Sequence, residues 1–451
     1  MDNSLRSSSV IVPISSDANT AKTPTWQAAA TRNKRTGRRQ RILILVENLP
    51  SPFDRRVWQE ARALHDAGYT VSIICPTGHG CESRHEVLEG IHIYRYRLPL
   101  EASGAVGYAI EYAAALVQTF LLSWKVLFTR GFDAIHACNP PDLFFLIGGF
   151  FKLFGKRFVF DHHDLNPELY EAKFGRRDFF YRLMLRLERW TFRTADVSIA
   201  TNESYRRIAI ERGGMPRDRV FVVRSGPSLD RMKIVPADPS LHCNRRYLVG
   251  YVGVMGKQEG VDYLLHAIHY IVHVKGRTDV HFGLVGGGTS LDDMKRLADD
   301  LNISPFVTFT GRVSDAEMLA MLNTANICVN PDVANEMNDK STMNKIMEYM
   351  ALGKAIVQFD LTEGRVSAGE ASLYARRNDS ADLAEKILSL LDDHETRHSM
   401  GAIGRARVVE ELAWDYEIPR LLAAYDKLWS TTRDAPQQQP EASNQSSLNQ
   451  P

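Results

Sequence analysis

The sequence is poor in the features that mark metal, redox or secreted proteins. Its 451 residues hold five cysteines (Cys75, Cys81, Cys138, Cys243 and Cys328) with no Cys-x-x-Cys pair, so neither a zinc ribbon nor a disulfide framework is available. Most lie in apolar or strand-like surroundings, and they read as reduced core thiols of a cytoplasmic protein. A long clean apolar run is also missing. Residues 108–128 are interrupted by Glu111, Gln118 and Lys125, and residues 142–154 are short, whereas a bilayer span takes about 20 apolar residues. For the first stretch the expectation is a helix buried on most sides, with partial dipping into a membrane surface as the second reading. The apolar run at residues 10–14 is too short and too broken by Pro13 for a secretory leader. A formal net charge of +1 gives no overall attraction to nucleic acid.

Several catalytic signatures are absent as well. No Gly-x-Gly-x-x-Gly follows the first strand-like run, which argues against a dehydrogenase. The nearest approach to a phosphate-binding P-loop, at residues 149–156, has the wrong spacing and runs into Arg157. No Gly-x-Ser-x-Gly elbow and no Asp-x-Asp metal chelate occur.

What is present is an alternation. Short β-branched runs (ILILV, TVSIIC, DAIHAC, RFVFD, DVSIA) are separated by amphipathic segments, among them residues 54–67 and 179–194. A second series (YLVGYVG, VHFGLVG, VTFTG, NICVN) starts at Tyr247. Such alternation is the pattern of a parallel sheet wrapped by helices. The fold class expected is therefore α/β, with two facing doubly wound, Rossmann-like domains. Their boundaries are read as 41–228 for the first domain and 229–413 for the second, joined by a linker rich in glycine and proline. A helix over 414–431 could cross back to the first domain. Residues 1–40 and 432–451 read as disordered tails. The first is basic: residues 1–41 carry eight Lys or Arg against Asp2 and Asp17.

Ligands of open parallel sheets sit beyond the carboxyl ends of the strands, so residues just after strands are the candidates. After the first strand, Asp54 can cap a helix, and Arg55 and Arg56 line an anion or acceptor site or are solvated. After RFVF, residues 161–168 (DHHDLNPE) place five ionisable groups in eight positions. A role in a catalytic cleft is the main expectation there, with a metal site and a hydrogen-bonded turn as alternatives. Adjacent histidines in extended chain point to opposite sides, and Asp164 and Glu168 are expected to orient one imidazole. The nearby loop at Asn139 would lie on the same edge. In the second half, Gly253 and Gly256 permit close backbone approach to a phosphate, Lys257 supplies a cation, and Gly287 repeats the arrangement one unit later. Arg312 follows the VTFTG strand. Residues 340–359 (KSTMNKIMEYMALGKAIVQF) open a helix through Ser341, Thr342 and Asn344, whose backbone N–H groups would seat a diphosphate. Glu348, one turn on, suits a sugar or ribose diol.

These stretches, in this order, resemble the family 4 glycosyltransferases of the GT-B fold. The resemblance covers residues 41–430 and rests on SPFDRRVWQEARALHDAGYTV, DHHDLNPEL, GYVGVMGKQEGVDYLLHAI, LVGGG, VTFTGRV and MEYMALGKAIV. It implies a retaining transferase that takes a sugar from a nucleotide diphosphate sugar without a catalytic metal or other cofactor. The acceptor, a glycan or a lipid-linked sugar, would lie against the first domain, and the enzyme would be cytoplasmic and peripheral at the inner face of the membrane.

Carried over position by position, Glu348 matches the ribose-binding second glutamate of the family's pair, and His163 the histidine near the reacting sugar. The first glutamate falls at Lys340, and the usual Arg and Lys of the phosphate loop fall at Val254 and Glu259. Lys257, Lys345 or Lys340 would supply the missing charge, an exchange that resembles a branch making bacterial surface polysaccharides. The residue reading and the resemblance together give His163, Asp164 and Lys257 as catalytic and Asp54, Arg55, Arg56, Asn139 and Glu168 as acceptor-side. Gly253, Gly256, Gly287, Arg312, Lys340, Ser341, Thr342, Asn344, Lys345 and Glu348 form the donor side. A nucleotide-sugar epimerase of the same architecture and a non-catalytic partner protein are the alternatives.

Overall fold

The computed structural model describes residues 39–78, 80–97 and 104–430. The two expected disordered tails lie outside these, apart from residues 39 and 40. The first sheet comprises β1 (Arg41–Leu45), β2 (Thr70–Pro76), β3 (His85–Leu88), β4 (Ile91–Tyr96), β5 (Ala134–Cys138), β6 (Arg157–His162), β7 (Val197–Ala200) and β8 (Val220–Val222). Its spatial order is β3-β4-β2-β1-β5-β6-β7-β8, parallel throughout except for the antiparallel β3–β4 hairpin. That hairpin turns at Glu89 and Gly90, both at positive φ (49° and 82°), the combination a two-residue turn requires. The second sheet comprises β9 (Tyr247–Val252), β10 (Val280–Val285), β11 (Val307–Gly311), β12 (Ile327–Asn330), β13 (Ile356–Phe359) and β14 (Ser372–Ala375). Its order is β11-β10-β9-β12-β13-β14, all parallel.

Each sheet is covered on both faces, which is why its strands read as continuous apolar runs. Helix Arg55–Asp66 shows the local logic. Asp54 caps it by accepting from Val57 N at 3.1 Å, and Val57, Ala61 and Leu64 recur at helical spacing on the buried side. The last helix, Trp414–Ser430, leaves the second domain and buries Leu421, Tyr425 and Leu428 among the core residues of the first. Each such buried side chain stabilises that docking by about 1.5–3 kcal/mol.

Two expectations are corrected here. The segment expected to be a helix buried on most sides is the helix Gly104–Thr129, but only 22% of its apolar window at Glu111–Thr129 is buried. Of the cysteines, Cys75, Cys138 and Cys328 are buried thiols, while Cys81 is half-buried and Cys243 exposed.

Candidate active site between the two sheets

In both sheets the strand order reverses beside the first strand, between β1 and β5 and between β9 and β12. Parallel sheets bind ligands at such reversals. The loops that leave these strands face one another across a cleft. Asn202, just after β7, donates from Nδ2 to the Lys340 carbonyl at 2.8 Å and to Thr342 Oγ1 at 3.0 Å. Tyr205 OH lies 3.0 Å from Ser341 Oγ, and Arg312 stacks its guanidinium 4.7 Å over the Phe53 ring. Arg55 Nη2 donates to Asp315 Oδ1 at 2.8 Å, tying the first loop to the second domain.

Under the first-domain side lies a buried ionic cluster. The Arg56 guanidinium pairs through Nη2 with Glu60 Oε1 at 2.9 Å and Asp161 Oδ1 at 3.0 Å. It also donates from Nη1 to the Val223 carbonyl at 2.9 Å. His136 Nε2 is 3.3 Å from Asp161 Oδ2, and its Nδ1 is 2.8 Å from Tyr425 OH on the returning C-terminal helix. Asp161 Oδ2 also holds His163 through Nε2, with Arg56 Nε 2.9 Å from the same nitrogen. Burial works to raise the Asp161 carboxyl, but Arg56 and His163 overcome it and keep it well below the usual carboxylate range. Burial pushes Glu60 well above that range, Arg56 offsetting it in part. The cluster therefore carries one firm carboxylate under one guanidinium.

Asn139 organises the loop above it. Its Oδ1 accepts from the backbone N–H groups of His163 (2.6 Å) and Asp164 (3.1 Å), while its Nδ2 donates to Asp142 Oδ1 (3.1 Å) and the Asp164 carbonyl (2.8 Å). Burial pushes the Asp142 carboxyl up to about 6 and also raises Asp164. His162 points the other way, among Phe160, Phe192 and Tyr205, where burial lowers its pKa to about 3 and keeps it neutral.

Two triads here have metal-ligand types within reach of one another, His136–Cys138–Asp161 and Glu60–Asp161–His163. They do not fit a cation. The Arg56 guanidinium already sits at 2.9–3.0 Å on Glu60 and Asp161, and no other such group occurs among the described residues.

On the second-domain side, helix Asn344–Ala351 begins at Met343 with no side-chain cap. The first-turn N–H groups of any α-helix lack intrahelical partners, so those of Asn344 and Lys345 are open to an anion. The Ser341 N–H is already used, donating to the Asn338 carbonyl at 3.2 Å. Beside this turn lies the loop after β9, close enough that a Cβ on Gly253 would meet Lys345 Nζ at 3.4 Å. Gly286, at φ +134°, has its Cα packed so tightly on Gly253 that a Cβ would sit 1.8 Å from the Gly253 carbonyl oxygen. Met255 N–H donates to the Gly287 carbonyl at 2.9 Å. The glycines thus let two loops lie backbone to backbone. Glu348 Oε1 accepts from Arg231 Nη1 at 2.8 Å, and Arg231 also grips Asp315 at 2.8 and 3.1 Å.

Several sequence assignments change. Glu168 does not orient His163; it is buried and paired with Arg212, 3.2 Å from Nη2, because an arginine from the neighbouring helix Glu203–Glu211 end reaches it first. Asp164 is tied to Asn139 through its backbone N–H and carbonyl, and the imidazole is hydrogen-bonded by Asp161 instead. Arg56 is neither solvated nor lining an acceptor surface, being 8% exposed within its ion pairs. Asp54 serves as the helix cap, and Asn139 positions the His163 loop. Lys345 cannot offer its charge to a phosphate as it stands, since Nζ is buried between Glu259 Oε2 (2.6 Å) and Asp332 Oδ1 (2.8 Å). Burial pushes Asp332 up to about 7 despite that lysine. Lys340 pairs with Glu336 at 2.5 Å, and Lys257 is exposed at the loop after β9. Gly256 and Asn344 lie at the same two loops.

The sequence reading missed Arg231, Asp315, Asn202 and Tyr205. It also passed over His394-Glu395-Thr396-Arg397-His398, which has the His-Glu-x-x-His spacing of zinc peptidases. Both histidines are exposed on helix His394–Arg407, and no third ligand joins them among the described residues.

Comparison with known proteins fits this geometry. The family described as Glycosyltransferase Family 4 matches residues 54–231, and that described as Glycosyl transferases group 1 matches residues 246–393. The chain belongs to the family 4 glycosyltransferases. Two curated relatives of this family 4 chain are 28% identical to it. One is a GDP-mannose-dependent phosphatidylinositol monomannoside mannosyltransferase of Corynebacterium glutamicum, aligned over 36% of this chain and 43% of the relative. The other is the capsular polysaccharide biosynthesis glycosyltransferase CapM of Staphylococcus aureus, over 37% and 42%. The matches therefore span less than half the length of these relatives. Among solved structures, sucrose-phosphate synthase from Thermosynechococcus elongatus superposes with a TM-score of 0.72 at 18% identity, over 87% of this chain and 100% of that one. WaaG, a glycosyltransferase of lipopolysaccharide biosynthesis, gives 0.63 at 16% over 85% and 99%. The family 4 chain has the GT-B fold: two parallel-sheet α/β domains with a cleft between them.

Proposed function

We propose that the protein is a retaining, metal-independent glycosyltransferase that moves a sugar from a nucleotide diphosphate sugar to a glycan or lipid-linked acceptor in surface polysaccharide or glycolipid assembly. It would act in the cytoplasm, at the inner face of the membrane. The observation that carries this reading is the uncapped start of helix Asn344–Ala351, set against the glycine loop after β9 with Glu348 one turn further on. Open N–H groups at a helix start favour a diphosphate by charge and by hydrogen bonding. Glu348 then takes the ribose diol, exchanging its Arg231 partner for two hydroxyls. Lys257 contributes positive charge at the loop.

The chemistry follows from leaving-group stabilisation. As the glycosidic C–O bond breaks, negative charge grows on the departing diphosphate, and preorganised donors there lower the barrier more than they stabilise the bound donor. The acceptor hydroxyl attacks from the face the diphosphate leaves and passes its proton to the departing diphosphate oxygen, so no protein nucleophile is needed. His163, held by Asp161, faces the reacting sugar. The relatives support a nucleotide-sugar donor: one is named for GDP-mannose, and a fold neighbour, HepE from Anabaena, was solved with UDP and glucose.

Nucleotide binding tests the seat. UDP, GDP or ADP in EDTA should raise the unfolding midpoint for one base, and Glu348→Ala should weaken that binding by about tenfold or more, as expected for loss of a charge-assisted pair. An equal midpoint with and without every nucleotide contradicts the seat.

A further inference from the structure

Among the described residues, one face of the first domain is apolar, basic and uncovered. On helix Gly104–Thr129, Val117, Leu121 and Phe128 are 57%, 60% and 79% exposed, an unusual state for three large apolar side chains at helical spacing. The neighbouring helix Phe145–Lys152 and the turn after it add Leu146 at 50%, Leu153 at 82% and Phe154 at 54%. The two sets form one patch, because Trp124 packs its ring against both Phe128 (5.3 Å) and Phe154 (5.8 Å). Trp190, 45% exposed on helix Phe179–Thr194, continues it through a ring contact with Phe145 at 5.9 Å.

The charge exposed along helix Phe179–Thr194 has one sign. Arg182, Arg186, Arg189 and Arg193 are all exposed on helix Phe179–Thr194, and its one carboxylate, Glu188, is buried on Arg212 at 2.6 Å. Lys125 and Arg130 are exposed on helix Gly104–Thr129 and just after it. Such a surface is unsuited to water and complementary to an anionic bilayer. Aromatic and aliphatic groups enter the headgroup boundary, and arginines pair with lipid phosphates.

We propose that this face docks the enzyme on an anionic lipid bilayer. The proposal deepens the membrane placement in the reading above by naming the face and the lipid charge, and it does not depend on sugar transfer. Helix Phe145–Lys152, about 12 Å long, starts three residues after the Asn139–Asp142 loop and so connects that loop to the docked face. A lipid-borne acceptor could reach the site without leaving the membrane.

Co-sedimentation of the full-length protein with vesicles tests this, using phosphatidylcholine alone and phosphatidylcholine mixed with phosphatidylglycerol. Binding to the mixed vesicles only, weakened by salt, is expected. Each cation near such a surface is worth about fivefold in partitioning, so Arg182→Glu/Arg186→Glu/Arg193→Glu should cost about 100-fold or more. Phe128→Ser/Leu153→Ser/Phe154→Ser should lose at least about tenfold, because three apolar groups leave the headgroup boundary. These six positions lie outside the cleft, and an unchanged unfolding midpoint and nucleotide response show that the variants are folded. No binding to mixed vesicles, or binding unaltered in both variants, overturns the proposal. So does a concentration-dependent dimer that the Phe128/Leu153/Phe154 variant abolishes, since a second copy would then cover the face. Vesicle binding needs no nucleotide, so its failure leaves the transferase reading to its own test.

Discussion

Replacing Arg56 by methionine should destabilise the first domain by about 3–5 kcal/mol, the range for removing one member of a buried ion cluster. The reason is asymmetry. Methionine fills the volume, but it leaves Asp161 without the guanidinium at 3.0 Å that keeps it ionised, in a place where water does not reach. Glu60 is less costly, because burial already favours its neutral form. At roughly 2–4 °C per kcal/mol for a domain of this size, the unfolding midpoint should fall by about 6–20 °C. Adding Asp161→Asn to Arg56→Met should recover part of the loss, since the stranded charge is gone. A melting curve equal to that of the parent protein would show that the cluster contributes nothing net, and no partial rescue would mean that the loss lies in packing.

His163→Ala should lower turnover by about 10²–10³-fold while leaving nucleotide binding intact, the size of effect seen when one preorganised polar group beside a reacting centre is lost. The argument is positional. The ring is held at Nε2 by Asp161, its backbone N–H is fixed by Asn139 Oδ1 at 2.6 Å, and its side chain keeps 14% exposure at the cleft. Asp161 and His162 beside it are fully buried, so His163 is the ring of this segment left at the surface of the cleft. Steady-state kinetics with the accepted donor separate the outcomes. A lower kcat at unchanged donor affinity supports the role. Unchanged kcat removes His163 from the reaction, and a large rise in KM alone would make it a binding residue.

The sheets were legible because strands buried on both faces must be apolar throughout, as in ILILV and VHFGLVG, and because helices with one buried stripe intervene. The β3–β4 hairpin was not, since β3 lies at the sheet edge with only part of its surface covered and so lacks a strong apolar pattern. Sequence shows that residues 108–128 are apolar but not which neighbour covers them, hence the wrong expectation of burial. In the site, a helix start near Asn344 with Glu348 one turn on was readable from local spacing, but not that Met343 leaves it without a side-chain cap or that the Ser341 N–H is already used. Partners distant in sequence were not: Arg212 lies 44 residues from Glu168, and Arg231 lies 117 from Glu348. One partner was within reach of the sequence. Arg56 and Glu60 stand four apart, a pairing distance on any helix, and taking Arg56 as solvated overlooked it.

The central claim is metal-free transfer from a nucleotide diphosphate sugar with retention, and the most direct measurement follows the sugar itself. UDP-, GDP- and ADP-sugars would be incubated with the full-length protein in EDTA, with and without a lipid extract as acceptor, and the products read by NMR. The account predicts release of one nucleoside diphosphate, accelerated by acceptor, with the transferred sugar keeping the donor's anomeric configuration. An altered free sugar formed without acceptor, inversion at the anomeric carbon, or no consumption of any donor would contradict it.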